Sequence, residues 1–262
     1  MSENKTVLLT GATGSIGGGI AKLIARTPGY NLIIAARNKD KAETTVERLQ
    51  SMTGRGNIRY VLADLSRKQE IKSLADQWNG PLHILINNAA VTPKTRQETP
   101  DGIECQWATN VLGYFWLISY LSPRMEENGA SRIVNVASYW AGGLDLSDPE
   151  FRHRRYNNDS AYRQSKQADR MLSVAFSGRL KEKRITVNAC HPGDVRSTLA
   201  SNLGFGGHET PEQAADTPFW LATSPDVENV TGKYFEHRHE TSCRFGSDRE
   251  AVEELFRVCS RY

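Results

Sequence analysis

Short apolar runs alternate with longer, more polar segments along most of the chain, and this alternation constrains the fold more than any other feature. The apolar runs predict strands at 6–9, 31–36, 58–63, 82–86, 132–136, 185–189 and 233–235. The intervening segments predict helices at 15–26, 39–52, 67–78 and 160–181, a long helix ending near Pro123, and a helix beginning near Pro211. Strands that are apolar throughout are typical of a parallel sheet covered on both faces, and parallel strands need crossover connections. We therefore expect an α/β fold with a doubly wound parallel sheet and helices on both faces.

Length and composition fit one such domain. Of the 262 residues, 39% are hydrophobic and 24% are charged, which is typical of a globular protein. The sequence contains no linker rich in proline, glycine and serine and no repeat of fixed period. Because one α/β sheet can occupy roughly 250 residues, we predict a single domain over residues 1–262.

The charge balance and the cysteines argue against several classes of protein. The 33 basic and 30 acidic residues give a net charge of only +3, whereas nucleic-acid binding needs clustered lysine and arginine. The cysteines form no CxxC pair, so they predict neither a metal site nor a disulfide scaffold. We interpret them as reduced thiols of a cytoplasmic protein; they are Cys105, Cys190, Cys243 and Cys259.

The sequence offers no candidate for a membrane span. A span needs roughly 18 consecutive apolar residues, and the most apolar stretch, 111–121, is shorter and predicts a buried helix. Residues 1–5 pass directly into the first predicted strand, so we expect neither a secretory signal nor an N-terminal membrane anchor.

A glycine-rich turn follows the first predicted strand. Residues 10–17 read TGATGSIG, a GxxGxxG spacing rather than GxGxxG. Glycine lets a backbone approach a pyrophosphate closely, and the start of the next helix offers free N–H groups and a positive dipole end. Its place between a strand and a helix predicts a dinucleotide phosphate site. The predicted contacts are Gly11, Thr13, Gly14, Ser15, Ile16 and Gly17.

The end of the second predicted strand bears on the choice of dinucleotide. In this type of fold a carboxylate there binds the ribose 2′-hydroxyl of NAD, whereas an arginine suits the 2′-phosphate of NADP. The sequence places Arg37 and Asn38 at this point, with no acidic residue before Asp40. We therefore predict NADP(H) as the cofactor, with Arg37 and Asn38 among its contacts; a surface arginine is the alternative interpretation.

Further motifs lie in order along the alternation. Beyond the glycine-rich turn these are Asn87-Asn88-Ala89-Ala90, Ser138, the Tyr162-x-x-x-Lys166 pair and Pro192-Gly193. Together they resemble the short-chain dehydrogenase/reductase superfamily over nearly the whole chain. The resemblance implies a Rossmann fold and an oxidoreductase that transfers hydride between nicotinamide and a small-molecule carbonyl or alcohol, as in a carbonyl reductase or alcohol dehydrogenase.

The resemblance assigns catalysis to Ser138, Tyr162, Lys166 and Asn110. Hydride transfer to a carbonyl leaves charge on oxygen, so a proton donor must lie beside it. A free tyrosine has a pKa of about 10, and a lysine ammonium four residues along the same helix face would lower it. Ser138 would hydrogen-bond the substrate oxygen, with Ser131 and Ser147 as nearby alternatives. Asn110 would hold a water that links Lys166 to solvent, or serve as a structural amide.

Further cofactor contacts also follow from the resemblance. Asp64 and Leu65 would contact adenine, although Asp64 could instead cap the next helix. Lys166 would bind the nicotinamide ribose, close to Asn88 and Ala89, and Tyr162 lies beside it. Ala90 stands where the family motif has glycine, and Ser197 where it has threonine. The expected contacts after the sixth strand, near the nicotinamide amide, are Pro192, Gly193, Val195 and Ser197.

Two departures from the pattern leave alternatives open. The GxxGxxG spacing resembles the extended branch of the superfamily, which includes epimerases and dehydratases, but the part of the chain after the motifs is short for a sugar-nucleotide domain. A long segment between Ser138 and Tyr162 resembles the insertion of retinol-dehydrogenase-like reductases, without implying a retinoid substrate. A non-catalytic NADP(H) sensor is the third reading, against which the intact Ser138, Tyr162 and Lys166 set argues.

The substrate is expected to contact the loops that the motifs constrain least, near 91–102, 139–160 and 199–210. The loop near 199–210 holds three glycines and could close over a ligand or be an ordinary surface loop. The basic run 152–155 could attract an anionic substrate or be a solvated face. His153 and His191 are not expected to act as acid or base, because Tyr162 fills that role.

Two apolar helices suggest self-association. The segment 112–118 is apolar nearly all round, so it must bury more than one face. The predicted helix that carries Tyr162 also carries Met171, Leu172, Val174 and Phe176. We therefore predict a homodimer through these two helices.

Overall fold

A computed structural model describes residues 4–262, so the first three residues of the N-terminal segment considered above lie outside it. The strands are β1 (Lys5–Thr10), β2 (Tyr30–Ala36), β3 (Ile58–Leu62), β4 (Ile84–Asn87), β5 (Ser131–Val136), β6 (Ile185–Cys190), β7 (Tyr234–Glu236) and β8 (His239–Thr241). They form one sheet in the order β3-β2-β1-β4-β5-β6-β7-β8. Only β8 runs antiparallel to its neighbour within the described residues.

Helices connect the strands and flank the sheet. They are α1 (Ser15–Arg26), α2 (Lys39–Thr53), α3 (Lys68–Asp76), α4 (Gly113–Glu126), α5 (Asn158–Leu180), α6 (Thr198–Asn202), α7 (Pro211–Ala214), α8 (Asp216–Thr223), α9 (Arg244–Ser247) and α10 (Arg249–Ser260). A π-helical turn, Trp107–Leu112, leads into α4, and a short 3₁₀ turn, Pro225–Val227, follows α8.

Alternate residues of each strand face two apolar layers. On β1, Leu8 packs on the side of α3, α4, α5 and α10, whereas Val7 and Leu9 pack on the side of α1, α2 and α8. All three side chains are fully buried. The predicted α/β class and the helices on both faces are thus confirmed.

The strand order places one crevice at the middle of the sheet. β1 pairs with β2 on one side and with β4 on the other, so the chain reverses its winding direction between them. In open α/β sheets ligands bind outside the carboxyl ends of the strands at this point. The glycine-rich turn after β1 and the segments after β4 and β5 meet there.

Several element boundaries differ from the predicted ones. The long helix does not end near Pro123 but continues to Glu126. Proline forfeits one backbone hydrogen bond, yet Leu121 and Met125 on either side of it are fully buried, and this packing holds the helix together. The strand predicted at 233–235 is found as Tyr234–Glu236, and it pairs with a β8 that the sequence pattern did not reveal.

The helix α10 packs on part of the two helices that were predicted to form a dimer. Its Phe256 ring lies 5.2 Å from that of Phe115 on α4 and 5.3 Å from that of Phe176 on α5. On the same helix, Glu253 pairs with Arg179 of α5 at 2.5 Å. The contacts of α10 therefore cover part of α4 and α5, and the homodimer stays a prediction.

Several general features bear on the protein's class. None of the described helices is long and apolar enough to cross a membrane. All four cysteines are free thiols. Residues 4–262 contain no group of histidine, cysteine and acidic side chains arranged to hold a metal ion.

Candidate active site

A cleft of about 480 Å³ lies over the carboxyl ends of β1, β2, β4 and β5. Most of the predicted cofactor residues line it. They are Gly11, Thr13, Gly14, Ser15, Ile16, Gly17, Arg37, Asp64, Leu65, Asn88, Ala89, Ala90, Tyr162, Lys166, Pro192 and Ser197. Gly193 and Val195 line a neighbouring cavity instead, and Asn38 lines neither.

The glycine-rich turn has the shape that a pyrophosphate requires. Gly11 has φ +71°, and a side chain there would lie 2.7 Å from Asn88 Nδ2. A Cβ at Gly17 would collide with the carbonyl oxygen of Gly11. The helix α1 begins at Ser15, and no side chain caps its first turn. Its backbone N–H groups therefore point into the cleft without a protein partner that would compete with an anion.

Thr10 ties this turn to the end of β4. Its buried Oγ1 accepts hydrogen bonds from the backbone N–H groups of Asn88 (2.8 Å) and Ala89 (3.0 Å). The Asn88 side chain returns a bond to the Thr10 carbonyl at 2.9 Å. The two sides of the cleft are thus held as one unit, and the sequence prediction missed the part played by Thr10.

The adenine side of the cleft has one exposed cation and several local caps. Arg37 is exposed and lines the wall next to Ala36. Asn38 caps α2 by accepting from the Lys41 N–H at 2.9 Å. Asp64 accepts from both the backbone and the hydroxyl of Ser66, at 3.0 and 2.8 Å, so its side chain shapes the turn after β3.

Tyr162 lines the cleft, and Ser138 lines the neighbouring cavity. Tyr162 is 8% exposed and borders both the cleft and the neighbouring cavity. Ser138 Oγ accepts the Trp140 N–H at 3.0 Å and also interacts with the Tyr162 hydroxyl. Burial raises the pKa of Tyr162, and the nearby Lys166 and Ser138 oppose that rise without cancelling it. In the described chain the tyrosine is therefore less acidic than the sequence argument expected.

Lys166 is buried one helical turn after Tyr162. Its Nζ donates to the carbonyl of Val136 at 2.9 Å and to Asp169 Oδ2 at 2.8 Å. The same nitrogen lies 5.9 Å from the centre of the Tyr162 ring and 5.2 Å from that of Tyr114. The sequence prediction placed Lys166 beside Tyr162 correctly but missed Asp169.

Asn110 lies within the π-helical turn before α4. Its Oδ1 accepts the Val91 N–H at 2.9 Å, and its Nδ2 donates to the Val91 carbonyl at 3.1 Å and to Ser165 Oγ at 3.3 Å. Ser165 Oγ in turn donates to the Tyr162 carbonyl at 2.7 Å. Asn110 therefore joins the segment after β4 to the helix that carries the tyrosine.

Arg170 holds the other side of Ser138. Its guanidinium donates to the Ser138 carbonyl and, at 2.7 Å, to the hydroxyl of Tyr234, over whose ring it also lies. Arg170 is eight residues beyond Tyr162 on the same buried helix. No motif marks this residue, so the sequence offered no signal for it.

The second cavity, of about 70 Å³, opens beside Tyr162 and has aromatic walls. Trp140 and Phe205 meet edge to face at 5.7 Å across its mouth, although both are partly exposed. Within it, the Tyr139 ring lies 4.6 Å from that of His191. Burial lowers the pKa of His191, so its imidazole is neutral near pH 7. The cavity suits an apolar group more than an anion.

The three predicted substrate loops are linked beside this cavity. Asn202, at the end of α6, donates to the Thr92 carbonyl at 3.1 Å, and Asn158 donates to the Asn202 carbonyl at 2.9 Å. The Asp148 carboxylate accepts the backbone N–H groups of residues 152–154 and so shapes the turn that carries the basic run. Arg152 also pairs with Glu150 at 3.0 Å.

Comparisons with known proteins agree with this arrangement. A family model for short chain dehydrogenases matches residues 5–204. Retinol dehydrogenase 13 of Mus musculus is 32% identical over 278 aligned residues, which cover 98% of this chain and 83% of that protein. A crystal structure from Mycobacterium paratuberculosis matches with a TM-score of 0.83 and 26% identity, over 99% of this chain and 93% of that one. A short chain dehydrogenase of Escherichia coli CFT073, complexed with NADPH, matches with a TM-score of 0.72 and 24% identity, over 89% and 96% of the two chains.

The matched region contains the glycine-rich turn, Ser138 and the Tyr162–Lys166 pair, which are the residues that the sequence resemblance relied on. The predicted likeness to retinol-dehydrogenase-like reductases is confirmed by the relative named above. The chain therefore belongs to the short chain dehydrogenase family and is an oxidoreductase of that family.

Proposed function

We propose that the protein is an NADP(H)-dependent oxidoreductase that interconverts a small-molecule carbonyl and an alcohol, with Tyr162 as general acid and base. The position of Tyr162 carries the proposal, because its side chain borders both the cofactor cleft and the aromatic cavity. When bound, the nicotinamide would supply hydride for reduction or accept it in oxidation. The aromatic cavity favours a neutral, partly apolar substrate.

The protein's own residues would move and stabilise the proton. In reduction, the Tyr162 hydroxyl donates its proton to the substrate oxygen as charge develops there. Ser138 Oγ accepts the Trp140 N–H, which leaves its hydroxyl proton available for the same oxygen. The Lys166 ammonium stabilises the tyrosinate left behind, and oxidation uses the same groups in reverse. Asn110 is proposed to help hold a water that links Lys166 to solvent.

NADP(H) is favoured over NAD(H) by Arg37. This exposed cation lines the cleft at the end of β2, where an NAD-specific site would have a carboxylate. We expect Arg37→Asp to weaken NADPH binding at least tenfold with little loss of NADH binding. Lys39→Asp is the matched control, because it makes the same charge change two residues away from the lining. Equal NADPH affinity in wild type and Arg37→Asp would refute the assignment of NADP(H).

The remaining predictions concern the whole chain. We infer that residues 1–262 act as one domain, with the substrate held between the loops at 91–102, 139–160 and 199–210. The free thiols favour a cytoplasmic location. The homodimer through α4 and α5 stays a prediction.

The decisive experiment follows NADPH absorbance against a panel of aldehydes, ketones and quinones. We expect turnover by the wild type and a loss of at least a thousandfold in Tyr162→Phe, with NADPH affinity unchanged because the phenyl ring still fills the site. Tight cofactor binding without turnover of any compound would instead favour a sensor. An active Tyr162→Phe variant would refute the role of the tyrosine.

A further inference from the structure

The buried carboxylate of Asp169 lies next to the lysine of the Tyr-x-x-x-Lys motif. Asp169 follows Lys166 by three residues on α5, and its side chain is fully buried. Its Oδ2 accepts from Lys166 Nζ at 2.8 Å, while no described residue hydrogen-bonds its Oδ1. Lys166 is therefore the hydrogen-bond partner of the Asp169 carboxylate.

Such a pair is not explained by stability alone. Removing two charges from water is costly, and well-packed apolar residues often stabilise a core as well as a buried ion pair does. Apolar residues at both 166 and 169 would suit this side of α5, which packs in an apolar layer, so the pair is not needed for packing. The carboxylate thus calls for a role in the chemistry of the site.

The contact constrains the lysine ammonium. A lysine has three N–H donors, and the Val136 carbonyl and Asp169 occupy two of them. One donor is left for a ligand in the cleft that Lys166 lines. Asp169 and Val136 together fix the position of Nζ beneath the Tyr162 ring.

The other titratable groups around the pair contribute little charge. Burial raises the pKa of Tyr114 on α4, Cys190 on β6 and Cys259 on α10, so all three are neutral near pH 7. Tyr139, after β5, likewise has a raised pKa because of partial burial and Asp194. Asp194, after β6, is the second carboxylate that acts on Tyr162, and it lies at the open cavity. Lys166 and Asp169 therefore dominate the buried field at the tyrosine.

We propose that Asp169 is a positioning residue that holds Lys166 in place and offsets part of its positive charge at Tyr162, which keeps the tyrosine hydroxyl protonated. The inference rests on the proposed acid–base role of Tyr162. Reduction requires the protonated hydroxyl and oxidation requires the tyrosinate. Asp169 thus adapts the site to donate a proton over a wide pH range and confines oxidation to alkaline pH.

The sign of the effect follows from the ionisation of the pair. Burial raises the pKa of the Asp169 carboxyl to about 7, against the attraction of Lys166. Burial alone would lower the pKa of Lys166, and Asp169 raises it above its usual value. The hydrogen bond of 2.8 Å favours the charged form of both groups, and the Asp169 carboxylate then offsets part of the positive charge of Lys166 at Tyr162. Asparagine at position 169 would leave the ammonium uncompensated and make Tyr162 more acidic.

The test is a direct titration of Tyr162 by NMR with ring-labelled tyrosine, in which Tyr162→Phe identifies the resonance. We expect Asp169→Asn to lower the midpoint by about one pH unit, the effect of one charge just beyond the lysine at an effective dielectric constant near 20. Ser173→Ala is the matched control. It removes a buried hydroxyl that bonds the Asp169 carbonyl and Asn135, without changing any charge, and should leave the midpoint in place.

The same variants separate this inference from the proposed function. With a substrate found in the panel, the alkaline limb of kcat/KM for reduction should move down by about one pH unit in Asp169→Asn. Equal Tyr162 midpoints in wild type and Asp169→Asn would overturn the inference even if both proteins are active. If Asp169→Asn fails to fold, the wild type decides: a Tyr162 midpoint below the value of about 10 for free tyrosine would overturn it. Absence of any turnover bears on the proposed function alone, because the titration needs no substrate.

Discussion

Replacement of Thr10 by valine tests whether the cofactor cleft depends on the bond between β1 and β4. Valine has nearly the same shape but cannot accept the two backbone N–H groups that Thr10 Oγ1 binds, those of Asn88 and Ala89. An unsatisfied, largely buried donor costs about 1–3 kcal/mol. Two such donors would together cost about 2–6 kcal/mol. Because water can reach part of this loop, we expect a loss toward the lower end, about 2–4 kcal/mol, in the free energy of unfolding.

Urea denaturation followed by circular dichroism measures this loss, and fluorescence titration measures NADPH binding. Since Asn88 and Ala89 line the cleft, we also expect binding to weaken by about tenfold, equivalent to ~1.4 kcal/mol. Thr6→Val is the control, because Thr6 is a buried threonine of the same strand whose hydroxyl accepts neither N–H group. A Thr10→Val protein as stable as Thr6→Val would refute the reasoning.

Two further predictions concern other parts of the molecule. Leu255→Ala on α10 should lower the free energy of unfolding by about 2–5 kcal/mol, because the side chain is fully buried. Ser260→Ala, on the exposed side of the same helix, should lower it by less than ~0.5 kcal/mol. Equal denaturation midpoints of the two variants would argue against the packing of α10. Phe205→Ala should widen the mouth of the aromatic cavity, which Phe205 and Trp140 narrow, and raise kcat/KM for bulky carbonyls by about tenfold relative to kcat/KM for small ones. An unchanged ratio of these two kcat/KM values would exclude a role of Phe205 in selecting substrates by size.

The sequence predicted the central sheet well and its margins poorly. Strands such as β2 and β5 are buried on both faces, so an unbroken apolar run identifies them. The strand β7 was predicted one residue early, whereas β8 is only three residues long and mostly exposed, so neither length nor hydropathy identifies β8. The helix α10 was missed, since the regular alternation had already ended and only its amphipathic pattern could have revealed it.

In the site, too, some residues can be identified from sequence patterns and others only from the fold. Gly11, Tyr162 and Lys166 were found because their chemistry requires particular residue types at fixed spacing. Asp169 and Arg170 act through partners that only the fold brings near, Lys166 in one case and Ser138 in the other. In the sequence, a carboxylate three residues after a lysine looks like an ordinary ion pair on a solvated helix face. Only the burial of Lys166 and Asp169 distinguishes them from such a pair.

The position of α10 also affects how the chain is made. This helix is translated after every strand of the sheet, yet its Phe256 packs on Phe115 and Phe176, whose rings are nearly buried. During synthesis the aromatic surface of α4 and α5 stays open until α10 leaves the ribosome. Nascent chains carrying such a surface are prone to aggregation and are natural clients of chaperones. A premature stop before residue 249 would leave the catalytic motifs intact but would remove the helix that covers the rings of Phe115 and Phe176.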